Sequence, residues 1–166
     1  VERYAIADDG GVYVKDGSFC QNDQLICPVD SLQLIGQHNI ENACAAISIA
    51  KAYDVANASI EVGLQKFQGL PHRIEYVRTV SGVRYYNDSF SSAPSATVAA
   101  IRSFTDPEIL ILGGIDKRAD FTELANTITQ HVAVKQVIII GEIREKLSQI
   151  LHDANISVPV TVTDVR

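Results

Sequence analysis

Several things are missing from this chain, and each absence narrows the reading. None of its 166 residues form a Gly-x-x-x-x-Gly-Lys-Ser/Thr phosphate-binding loop, and Gly113-Gly114 does not extend into Gly-x-Gly-x-x-Gly, so no dinucleotide fingerprint is supported. Cysteine is sparse: Cys20, Cys27 and Cys44 are odd in number and form no Cys-x-x-Cys pair. That argues against a disulfide framework or a zinc site, and for reduced thiols in a cytosolic protein. Lys/Arg-rich runs are absent, and 14 basic residues against 20 acidic ones leave a net charge of −6, so no nucleic-acid partner is expected, although a local basic pocket stays possible. Long hydrophobic runs are absent too. Ile109 to Leu112 and Val137 to Ile140 are the longest runs of Ile, Leu and Val, far short of the ~20 residues that span a bilayer, so no membrane partner is expected. The opening Val-Glu-Arg-Tyr-Ala-Ile has no basic start, apolar core or cleavage site, so the expectation is a cytoplasmic protein.

What is present suits one ordinary domain, or one domain with a piece of another, and 46% apolar residues suffice for a core. Residues 1–35 alternate short β-prone runs (Tyr4 to Ala7, Val12 to Lys15, Leu25 to Pro28) with turn signals at Asp9-Gly10-Gly11 and Asp16-Gly17. This predicts an antiparallel meander with too few strands to close a core, the tail of a larger domain. Ile40, Ala43, Cys44, Ile47 and Ala50 recur at helical spacing behind Asn39, which is placed to cap them. A second helix is predicted from about Ser59, as its N-cap, to Phe67.

A domain boundary is placed near residue 69. Beyond it, Ile74 to Val80 and Val83 to Asn87 read as strands of a hairpin joined by Ser81-Gly82. Pro71 stiffens the entry and sets Arg73 just before the first strand, while Asp88 falls at the end of the second. A hydroxyl-rich loop, Ser89 to Pro94, leads into a helix through about Phe104, whose first turn suits an anion. Strand 109–112, helix 119–132, strand 135–141, a helix marked by Ile143, Leu147, Ile150 and Leu151, and strand 158–162 then alternate. Their continuous apolar strands predict an α/β domain with a parallel sheet covered on both faces. Gly113-Gly114-Ile115-Asp116-Lys117 follows the first of these strands, where open α/β sheets place ligands. A plain turn with a surface charge pair explains the same residues equally well.

Two sets of residues carry a resemblance. Leu70-Pro71-His72-Arg73 with Glu75 and Tyr86-Asn87-Asp88-Ser89, together with Gly36-x-His38-Asn39-x-x-Asn42-x-x-Ala45-Ala46, is similar to the Mur ligases. The branch it most resembles adds D-glutamate to UDP-N-acetylmuramoyl-L-alanine. The resemblance implies that residues 1–68 are the closing part of a central ATP-binding α/β domain. It implies that residues 69–166 are a Rossmann-like, amino-acid-binding C-terminal domain, mostly parallel with an initial antiparallel hairpin and truncated at its end. In such an enzyme Asn39 and Asn42 sit by the adenine of ATP, Arg73 reaches its phosphates and Asp88 its ribose. Lys117, with Ser92, contacts the incoming D-glutamate, and Lys117 and Arg73 are the catalytic pair. The implied reaction is ATP-driven amide formation with Mg²⁺, whose ligands, like the phosphate-binding loop, would lie outside this chain. No metal ligand is assigned here.

The chain departs from the family pattern at Phe90, where the motif Asp-Ser-Lys-Ala-Thr-Asn has lysine. Ser92 keeps the hydroxyl of the threonine it replaces. The expectations are therefore a fragment inactive by itself, with residues 1–68 exposing apolar surface that pairs with another copy. Two other readings stay open: a different ligase of the superfamily, such as another Mur enzyme or a folylpolyglutamate synthetase, and a non-enzymatic α/β binding module in which Arg73, Asp88 and Lys117 point to different faces.

Overall fold

The structure is a computed structural model that describes residues 10–163. The strand expected at Tyr4 to Ala7 lies outside them. The chain divides into two compact units, Val1–Pro71 and His72–Arg166.

In the first unit β1 (Tyr13–Lys15), β2 (Ser18–Gln21) and β3 (Gln24–Pro28) form an antiparallel meander in that order. Both turns place two successive residues at positive φ, Asp16 and Gly17, then Asn22 and Asp23. That geometry suits the twist of tightly joined strands and favours Gly, Asn and Asp. The three strands do not close a core by themselves; two helices, α1 (Gln37–Ala52) and α2 (Asn57–Lys66), pack on them and complete it. Phe19 and Val12 from the meander, Ala43, Cys44 and Ile47 from α1, and Ile60 from α2 are buried together. Each large apolar side chain so buried contributes roughly 1.5–3 kcal/mol.

The three thiols are buried and unpaired, and burial pushes Cys44 up to about 11. On the outer side of α1, Ile49 and Tyr53 lie one turn apart, 64% and 80% exposed.

Both expected caps of this unit are wrong, for a common reason: the backbone turns into each helix earlier. Gly36, at φ 99°, opens α1, and Asn39 lies inside its first turn with its amide donating to the Ile35 carbonyl at 2.7 Å. Only glycine enters that backbone region without strain. Likewise α2 begins at Asn57, and the Ser59 N–H already donates to the Ala56 carbonyl at 2.9 Å. Asn57 accepts from Lys51 Nζ and donates to the Leu25 carbonyl, tying both helices to β3.

The second unit opens with a hairpin, β4 (Glu75–Val80) and β5 (Val83–Asn87), as expected, and Ser81 and Gly82 both have positive φ. A bulge at Val77 shifts its register. Tyr86 packs against Phe104 at 4.8 Å between ring centroids, and Arg84 pairs with Asp106, fastening the hairpin to the connection that follows α3 (Pro94–Ile101).

Then come β6 (Glu108–Gly114), α4 (Thr122–Gln130), β7 (Val134–Gly141), α5 (Arg144–Asp153) and β8 (Val160–Val162). The three strands are parallel in chain order. When sheet order follows chain order, crossovers of one hand fall on one face. Accordingly α3, α4 and α5 share one core with Val137 and Ile139, against which Leu110 and Leu112 pack. The alternate residues Ile109 and Ile111 are 59% and 66% exposed. Coverage of both faces, inferred from the apolar runs, is thus not found among the described residues. Val132, expected on the α4 stripe, is exposed because the helix ends at Gln130. No helix among the described residues is long and apolar enough to cross a membrane.

Candidate functional site

Two loops of the second unit carry side chains singled out by sequence. The first is a knot around Arg73 and Asp88. His72 and Ile74 flank Arg73, and both have left-handed backbones, with φ 65° and 44°. For a β-branched residue this conformation costs roughly 1–2 kcal/mol, so neighbouring bonds must hold it. They do. The Ile74 N–H donates to Asp88 Oδ1 at 2.9 Å, the Ser91 hydroxyl donates to Asp88 Oδ2 at 2.6 Å, and the His72 N–H donates to Glu75 Oε2 at 2.7 Å. The Phe90 N–H reaches the His72 carbonyl, and Asn87 Nδ2 lies 2.8 Å from His72 Nδ1.

Asp88 is therefore bonded to the backbone beside Arg73, through the Ile74 amide. Arg73 is exposed and Asp88 half-buried. An ionised carboxylate has about four acceptor positions, so Asp88 retains room for a hydroxyl donor. Ser92 is exposed in the loop just before Pro94, the first residue of α3, and no side chain caps that helix.

The second loop leaves the carboxyl end of β6. Gly113 is not part of a turn, as the pair Gly113-Gly114 suggests, but the penultimate residue of the strand. A Cβ there would lie 2.6 Å from Ile140 Cγ1 and 2.7 Å from the Ile140 carbonyl oxygen. Gly114 supplies the bend, at φ 133°. Asp116 Oδ1 accepts the Arg118 N–H at 2.8 Å, closing a turn around Lys117, with Arg118 left-handed at φ 56°. Lys146 Nζ bonds both Asp116 oxygens, at 3.1 and 2.9 Å. These donors, Lys146 first, hold the Asp116 carboxyl below its usual range. Lys117 is exposed.

Asn39 and Asn42 belong to the first unit, on the first turns of α1, where a spacing of three puts them on one side of the helix. Asn42 is exposed; Asn39 is half-buried and already uses one amide hydrogen on Ile35. Among the described residues no group of three or more His, Cys, Asp or Glu side chains could hold a metal ion.

No protein-family model matches the chain. Curated relatives do. The UDP-N-acetylmuramoylalanine–D-glutamate ligase of Latilactobacillus sakei is 39% identical over 146 residues, covering 88% of this chain and 32% of the relative. That of Pediococcus pentosaceus is 41% identical over 148 residues, covering 89% of this chain and 32% of the relative. Among solved structures, MurF from Acinetobacter baumannii superposes with a TM-score of 0.62 at 20% identity, over 87% of this chain and 30% of that one. Over most of its length the chain is similar to Mur ligases. It spans about a third of the length of the curated relatives it matches.

Sequence reasoning gave no role to the residues that shape the two loops. Ser91 and Glu75 hold the knot, and Lys146 and Arg118 shape the loop after β6. Asp88-x-x-Ser91 spacing was the one available signal, because a carboxylate three residues ahead of a hydroxyl is a local hydrogen-bonding pattern. Lys146 gave none: its partner lies thirty residues away in sequence. At the departure point the ring of Phe90 is 68% exposed, while its N–H holds the knot as any residue's would.

Proposed function

We propose that the chain is part of an ATP-dependent ligase that joins D-glutamate to UDP-N-acetylmuramoyl-L-alanine in the cytoplasmic stage of peptidoglycan precursor synthesis. The observation that carries this reading is identity of 39–41% over 88–89% of the chain to ligases named for that reaction. Residues 1–68 are the closing part of the central ATP-binding domain and residues 69–166 part of the amino-acid-binding domain. A division into compact units between Pro71 and His72 supports this boundary.

In this reading the L-alanine carboxylate takes a phosphoryl group from ATP. The D-glutamate amine then attacks the acyl phosphate, and the tetrahedral intermediate expels phosphate. Arg73 serves the phosphates, because a planar guanidinium makes paired, charge-assisted bonds to phosphate oxygens. Asp88 accepts from a ribose hydroxyl, while Asn39 and Asn42 offer donor and acceptor to the adenine edge. Lys117 holds a carboxylate of the incoming D-glutamate, with Ser92 as a neighbouring hydroxyl. Mg²⁺ would offset charge on the transferring phosphoryl group, with ligands outside the present chain.

Phosphate release by the full-length ligase, supplied with ATP, Mg²⁺, UDP-N-acetylmuramoyl-L-alanine and a panel of amino acids, tests the proposal. Release specific to D-glutamate is expected. A preference for another amino acid would move the protein to another branch, and no release with any would overturn the ligase reading. The 166-residue chain, assayed beside it, should release none and should scatter light as more than a monomer, through the exposed Ile49 and Tyr53 region.

A further inference from the structure

We propose that Lys146 is a positioning residue for Lys117: by holding Asp116 it fixes the turn that presents the Lys117 ammonium and keeps that ammonium from pairing with its own neighbour. The inference rests on the assignment of Lys117 to the amino-acid substrate. Its geometric basis is separate.

The parallel pairing sets Gly113 opposite Ile140 and Gly114 opposite Gly141, so the segments leaving β6 and β7 start side by side. The Ile143 N–H donates to the Gly114 carbonyl at 3.1 Å, docking the base of the loop on the entry to α5. One turn into α5, Lys146 reaches back across thirty residues to both oxygens of Asp116. Asp116 in turn bonds the N–H of Arg118, across Lys117. Lys117 is thus the middle residue of a turn closed on one side by its backbone and on the other by an ion pair.

A loop that leaves its strand at Gly114 has little stiffness of its own there. The Asp116 carboxylate also faces a choice of cations. With Lys146 in place both its oxygens are occupied, and Lys117 makes no ion pair or side-chain hydrogen bond among the described residues. Without Lys146, the cations nearest in sequence are Lys117 itself and Arg118, which already acts on the carboxylate.

Two readouts on the full-length ligase decide the matter. Steady-state kinetics of K146Q should show the KM for D-glutamate raised roughly fivefold to tenfold with kcat nearly unchanged, the size expected for losing one partly exposed bidentate pair. K146R should restore most of the loss, and K146Q/D116N should be no worse than D116N. Mass-spectrometric amine labelling at neutral pH, which needs no activity, should show Lys117 modified more slowly in K146Q while the other lysines are unchanged. Unaltered Lys117 labelling in a folded K146Q protein would overturn the positioning role. Altered labelling with no turnover in the unmodified enzyme would keep it, and would instead count against the proposed function.

Discussion

The two ends of the parallel sheet handle charge in opposite ways. At the carboxyl end, Asp116 and Lys146 are 35% and 45% exposed and meet at hydrogen-bonding distance. At the amino end, Glu108 opens β6 beside His131, the residue just after α4. Their side chains are 14% and 24% exposed and their nearest atoms are 3.8 Å apart, too far for a hydrogen bond. Glu108 Oε1 and His131 Nδ1 are buried with no hydrogen-bond partner, and burial pushes the Glu108 carboxyl up to about 7.

Perturbed carboxyls often mark active sites. Here the most perturbed one lies at the end of the sheet where open α/β folds do not place ligands. The comparison teaches that desolvation alone is a poor pointer. The candidate site is the end where the carboxylate is paired and exposed, on a loop that leaves its strand at a glycine of positive φ.

The sharpest way to break this comparison is Gly113→Ala. If glycine serves only loop mobility there, alanine should be tolerated. The contact at 2.6–2.7 Å with Ile140, backbone included, says otherwise. Forcing β6 and β7 apart should destabilise the second unit by about 2–4 kcal/mol, read as a lower urea midpoint at constant slope. Gly114→Ala meets no atom within 4 Å but sits at φ 133°, so its cost is conformational and should be smaller.

Next in size is Asp88→Ala, which asks whether an occupied carboxylate near the site is there for shape or only for ligand. Removing it leaves the Ile74 N–H and Ser91 hydroxyl without their acceptor and Ile74 unsupported at φ 44°. A loss of about 2 kcal/mol is expected. Adding Ile74→Gly should return about 1 kcal/mol by relieving the left-handed strain. Equal stability of the Asp88→Ala and unmodified chains would assign Asp88 wholly to ligand.

Much of this architecture was legible in the sequence because it rests on local signals. The hairpin around Ser81-Gly82, the alternation from β6 to β8, and the Leu124, Ala125 and Ile128 stripe all follow from turn chemistry and period. Three things were not. The strand β2 is too short to announce itself, although Phe19 is fully buried. The start of α1 moved because Gly36 admits a conformation that cap rules for Asn39 ignore. Apolar strands read as doubly covered because the residues outside the core, Ile109 and Ile111, are as hydrophobic as those inside. At the site, Arg73, Asp88 and Lys117 stood out by motif, while the groups that orient them were invisible: hydrogen bonds such as Lys146 to Asp116 depend on pairing across strands, not on spacing along the chain.

The smallest expected effect belongs to the amino end and turns on pH. Glu108 holds its proton to a higher pH in the folded chain, up to about 7 against an ordinary 4.5, because burial disfavours the anion. The folded state therefore binds more protons than the unfolded one between these values. The Glu108 contribution to stability is most favourable below pH 4.5, falls as pH rises through that window, and is level above it. Glu108→Gln removes the titration. The variant should gain about 1–2 kcal/mol at pH 8 relative to the unmodified chain, with the advantage fading toward pH 5. Melting temperatures across that range measure it. A difference that stayed constant with pH would mean the carboxyl is not desolvated in the fold, and the contrast between the two ends of the sheet would collapse to one of exposure alone.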